Sequence, residues 1–136
     1  MTRQDLISMA HKIWENDWLK ETPTTKLTPN ANIYHYPKYD CDLIKSYASL
    51  VAIFSKRTGS LYCFDTYSNT TIKHIYKAGK ILKASRIVWL CKRTDHAIET
   101  YIDGRIPFKA KSRELDNLVK FDWSMEIENK WKFINK

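Results

Sequence analysis

A chain of 136 residues, 43 % hydrophobic and 13 % aromatic, has the size of one domain and enough apolar surface to bury a core, which excludes a disordered chain. No apolar run reaches the roughly 18 residues of a membrane span, and MTRQDLISMAHKIW lacks a signal peptide's apolar stretch and small-residue cleavage site. A soluble, cytoplasmic protein with no membrane partner is expected, and its net charge of +8 implies attraction to a polyanion.

Thr2 is placed to cap a helix, with Asp5 three residues on, and Leu6, Met9, Ala10, Ile13 and Trp14 follow at helical spacing. A first helix is expected near 3–20. The Thr- and Pro-rich ETPTTKLTPN then reads as loop, and 21–40 as a whole is expected to be irregular, with a short edge strand at 33–36. From Ser49 the pattern changes. SLVAIFSK and LYCFDTY, joined by KRTGS with Gly59, predict a hairpin. Ser68, Asn69 or Thr70 then caps a helix running to about Lys83.

A second strand pair follows, RIVWLCK and AIETYID around the turn RTDH. Asp103-Gly104 turns the chain into RIPFKAK, where Pro107 suits an edge. Ser112 caps a short helix, SRELDNLV, with Glu114 in its first turn. In the tail, residues 123–134 fit both a strand and one helical face, and a strand is preferred. The order α-ββ-α-ββ-α-β predicts an α+β fold: a mainly antiparallel sheet of two hairpins with helices packed on one face. One domain over 1–136 is expected, with an N-terminal helix at 1–20, a loop at 21–40 and a sheet-plus-helix core at 49–136.

The stretch from Tyr67 to Arg93 holds seven Lys or Arg residues and no acid, although the chain has fifteen Asp and Glu to distribute. At about 100° per residue, Lys73, Lys77 and Lys80 fall within roughly 60° of one another. Ile72, Ile75, Tyr76, Ala78, Gly79 and Leu82 occupy the opposite arc, and His74 lies beside the lysines. Exposed helices usually interleave Glu with Lys, because like charges four residues apart repel. Here Lys73 and Lys77 are such a pair, uncompensated. The stripe therefore reads as a footprint for an anionic partner, extended by Lys83, Arg86, Lys92 and Arg93. Trp131 between Lys130 and Lys132 adds an aromatic flanked by cations, a combination used to stack bases.

No catalytic signature stands out. Cys41, Cys63 and Cys91 lie far apart with no C-x-x-C pair, and buried reduced thiols are expected. Glu128-Asn129-Lys130 with Asp103 or Asp122 makes only a sparse nuclease-like set. His35 with Asp40, Cys41 and Asp42 forms a candidate metal or thiol cluster without reinforcing spacing, and His74, His96 and Glu99 form a candidate acid–base set. Three glycines leave no phosphate-binding loop. No cofactor, no metal and no enzymatic activity are expected, with a small nuclease as the residual alternative.

The segment FDTYSNTTIKHIYKAGKIL, through Tyr67, Ser68, Thr70, Thr71, Lys73 and His74, resembles small uncharacterised proteins carried by phages and plasmids of Gram-positive bacteria. The Lys-, Ile- and Tyr-rich chain is also similar in style to anti-CRISPR proteins. The resemblance implies a phage or mobile-element protein that engages nucleic acid or a nucleoprotein, such as a CRISPR effector, and inhibits a host defence system. A direct nucleic-acid-binding regulator is the alternative.

Overall fold

The computed structural model describes residues 3–15, 24–65, 68–90, 97–101 and 108–110. Helix α1 (Arg3–Glu15) precedes five strands, β1 (Thr24–Thr28), β2 (Ala31–Tyr36), β3 (Cys41–Ser46), β4 (Ser49–Ser55) and β5 (Ser60–Cys63). Each pairs antiparallel with the next. Helix α2 (Asn69–Leu82) then carries the chain to β6 (Arg86–Leu90), which pairs parallel with β5. A parallel neighbour cannot be reached through a tight turn, so a crossover element is required, and α2 supplies it. Strands β7 (Ala97–Tyr101) and β8 (Phe108–Ala110) return to antiparallel pairing. Among the described residues, eight strands form one sheet in chain order.

The connections follow from local chemistry. Gly59 has φ of 73° and closes the β4–β5 turn, its N–H donating to the Ser55 carbonyl at 2.9 Å. Only glycine reaches that conformation without strain. Ser68 caps α2, its hydroxyl accepting from Thr71 N–H at 3.5 Å. The helix ends on Lys83 in the left-handed conformation, while Ala84 N–H reaches back to the Gly79 carbonyl at 2.9 Å.

Because side chains alternate across a strand, each central strand serves two layers. On one face Leu43, Ile53, Tyr62, Val88 and Leu90 pack with Leu6, Met9, Ala10 and Ile13 of α1. On the other face Ile33, Ile44, Phe54, Leu61 and Ile87 pack with Ile75 and Ala78 of α2. The α+β class and mainly antiparallel sheet agree with the sequence reading, as do the β4–β5 and β6–β7 pairs and the span of α2.

Two expectations are corrected. The helices do not share a face: α1 and α2 cover opposite sides of the sheet. Nor is 21–40 an irregular loop outside the core, since β1 and β2 lie within it and join β3 in extending the sheet beyond two hairpins. Cys41 and Cys63 are buried in the cores on opposite faces of the sheet, and burial pushes the Cys63 thiol well above its usual pKa. No helix among the described residues is long and apolar enough to cross a membrane. The Thr2 cap, the first helix beyond Glu15, Cys91, the Asp103-Gly104 turn, Pro107, the helix from Ser112 and the 123–134 segment lie outside the described residues.

Candidate nucleic-acid interface

Helix α2 lies with Ile75, Ala78 and Gly79 buried against the sheet, and its opposite arc presents Lys73, Lys77 and Lys80 to solvent. No Asp or Glu occurs anywhere in NTTIKHIYKAGKIL. The expected lysine stripe is therefore an exposed face. Lys83, the left-handed C-cap of α2, is also exposed.

The three stripe lysines are not equivalent. Lys77 Nζ donates to the Leu27 carbonyl of β1 at 2.6 Å. That carbonyl belongs to β1, an edge strand among the described residues, with a register shift between Lys26 and Thr28, so Lys77 ties helix to edge. Lys73 and Lys80 are the more open charges. Arg86, half-buried at the start of β6, donates from Nε to Ser60 Oγ at 2.7 Å and is turned into the sheet rather than toward the stripe.

His74 requires a correction. It does not stand beside the stripe as a surface group; only 7 % of it is accessible. Its Nδ1 is 2.9 Å from Ser46 Oγ and its Nε2 is 3.4 Å from Thr28 Oγ1, so both ring nitrogens face sheet hydroxyls. A buried imidazole held this way anchors α2 to β1 and β3 and is removed from the contact surface.

Two aromatics flank the stripe instead. Tyr76, expected on the buried arc, is 37 % exposed while its ring lies 5.7 Å from that of buried Trp89. On the other flank Tyr47 is 58 % exposed, its ring 6.0 Å from His74. Tyr47 also has φ of 55°, a conformation costly for a bulky residue. Helix geometry accounts for the pattern: positions 76 and 74 fall roughly 60° and 100° to either side of Lys73. Exposed Ile81 completes the outward surface. Lys92, Arg93, Lys130, Trp131 and Lys132 lie outside the described residues.

A second constellation sits on the same face of the sheet, at β1–β3. Thr25 Oγ1 lies 2.7 Å from His35 Nε2, and His35 Nδ1 lies 2.7 Å from Asp42 Oδ1. The sequence pointed to His35 and Asp42 together but missed Thr25. Cys41 and Asp42 do not converge, because adjacent residues in a strand face opposite ways and Cys41 packs in the α1-side core. Among the described residues, no group of three or more His, Cys, Asp or Glu is arranged to hold a metal ion. His96, Glu128, Asp103 and Asp122 lie outside the described residues, so the nuclease-like and acid–base sets built on them have no described geometry.

The chain belongs to a family described as a family of unknown function (DUF8033), whose sequence model matches residues 19–94, a span that includes β1 to β6 and α2. No curated protein and no solved structure matches the chain.

Proposed function

We propose that this DUF8033 member binds single-stranded nucleic acid across the outer face of α2. The observation that carries the reading is an exposed helix face with Lys73, Lys77 and Lys80, no acid, and tyrosines on both flanks. Lysines along a helix neutralise successive phosphates, while exposed aromatic rings offer surfaces on which any base stacks. Tyr76 and Tyr47 are amphipathic, each with an apolar body and a polar tip, and each keeps one side against the protein. Nothing in this contact reads base edges, so recognition is by backbone and stacking, with little sequence preference.

Within the mobile-element resemblance, the same surface would occupy the nucleic-acid groove or guide-loaded surface of a host defence complex, blocking it by occupation. Both versions use the same lysines. Fluorescence anisotropy with a labelled oligonucleotide of mixed sequence, across a salt series, tests the direct version. Three phosphates neutralised on a single strand give a log–log salt slope of about −2, at roughly −0.7 per phosphate. Absence of binding at low salt contradicts it. Capture of a defined host protein that survives nuclease treatment supports the nucleoprotein version.

A further inference from the structure

The Thr25–His35–Asp42 cluster has a chemistry that binding through α2 does not use. Thr25 stands opposite Ile33 in the β1–β2 ladder, and His35 is two residues beyond Ile33, so Thr25 and His35 are diagonal neighbours on one face. His35 stands directly opposite Asp42 in the β2–β3 ladder. Three adjacent strands thus set a hydroxyl, an imidazole and a carboxylate in a row with both gaps at 2.7 Å. The carboxylate accepts from Nδ1–H, which leaves Nε2 bare to accept the Thr25 hydroxyl proton.

Burial separates the two ends of the row. The Asp42 side chain is 1 % exposed, and its Oδ2 has no hydrogen-bond partner among the described residues. Lys56 Nζ lies 3.8 Å from Oδ1. A carboxylate buried so incompletely paired is costly to keep for architecture alone. The other end is open: the His35 side chain is 25 % exposed, and Thr25 is half-buried on β1, an edge strand of the described sheet. A buried carboxylate that orients an imidazole, whose far nitrogen meets an accessible hydroxyl, is the arrangement that activates an alcohol as a nucleophile.

We propose that Thr25 is a nucleophilic hydroxyl, with His35 as its general base and Asp42 as the positioning residue, acting on carboxylic esters. Oγ1 attacks the ester carbonyl and its proton passes to His35 Nε2. The C–O bond to the leaving group breaks, and that proton goes to the departing alkoxide, giving acyl-Thr25 and an alcohol. Water, deprotonated by the same nitrogen, attacks acyl-Thr25, releases the carboxylic acid and restores the hydroxyl. The site is independent of the nucleic-acid reading and departs from the expectation that the chain carries no catalytic chemistry.

The test uses the full chain with p-nitrophenyl acetate as substrate and an alkyl fluorophosphonate as covalent probe, the labelled residue being mapped by mass spectrometry. The probe should form one adduct, at Thr25 Oγ1, with loss of fluoride. Thr25→Val, which keeps the branched shape a strand favours, should abolish both the adduct and ester turnover, whereas Thr25→Ser should retain them. His35→Gln should slow both by about a hundredfold or more, the usual contribution of a general base. No adduct, an adduct at another residue, or ester turnover unchanged in Thr25→Val or His35→Gln overturns the proposal.

Discussion

At position 74 an imidazole has hydroxyl neighbours at both nitrogens, Ser46 on β3 and Thr28 on β1. Ser46 is itself buried, and its other neighbour within hydrogen-bonding range is Thr71 Oγ1 at 3.4 Å. Truncating the ring leaves a buried hydroxyl poorly satisfied and opens a cavity beneath α2. We therefore expect His74→Ala to cost about 2 kcal/mol, read as a lower urea midpoint. Oligonucleotide affinity, measured where the variant is folded, should stay at the wild-type level. Full stability with lost affinity would return His74 to the binding surface. The helical angle of position 74 was legible in the sequence, but the width of the buried arc was not. That width depends on β1 beside the helix, and the Thr- and Pro-rich sequence around β1 carries a loop signal. The Thr25 relay was hidden for a related reason, since Thr25 meets His35 only through strand register. Residues at 25, 35 and 42 carry no spacing motif.

At the scale of elements, the sequence signal was strongest where one pattern dominates. The β4–β5 hairpin and α2 were legible because SLVAIF, a Gly turn and a capped amphipathic run each follow a single rule. Strand β1, TTKLT, was hidden by Pro23 and Pro29 on either side, although threonine suits a strand and proline suits the ends of an edge strand. In β3, a buried Asp42 broke the apolar pattern of CDLIKS. The two-faced sheet was readable in principle: LYCF and IVWL are continuous apolar runs, the mark of strands covered on both sides. The Lys77 tie to β1 makes a prediction at this scale. Lys77→Met keeps the apolar stem and removes the Nζ donor to Leu27, so stability should fall by about 1 kcal/mol. Amide exchange should quicken first in β1. Unchanged exchange there would show that the edge is held by its ladder with β2 alone.

For the whole molecule, a net charge of +8 draws polyanions from any direction, but its distribution decides where they settle. From Tyr67 to Arg93 the chain has no acid, and α2 raises the lysines of that stretch on a helix whose other side is buried in the sheet. Binding through α2 and ester chemistry at Thr25 use different residues, so each can fail without the other. Charge reversal at the two open lysines of α2 bears on the claim that this helix is the binding face. The measurement is oligonucleotide anisotropy against salt for Lys73→Glu/Lys80→Glu, with Lys77 left in place to hold β1. Two lost phosphate contacts should lower the magnitude of the log–log salt slope by about 1.4, and affinity at low salt should fall at least roughly tenfold, since two phosphates then meet acids. Unfolding free energy should stay within about 0.5 kcal/mol, as for surface changes generally. A stable double variant that binds with wild-type affinity and an unaltered salt slope would contradict the claim and leave the lysine stripe as a solvated face.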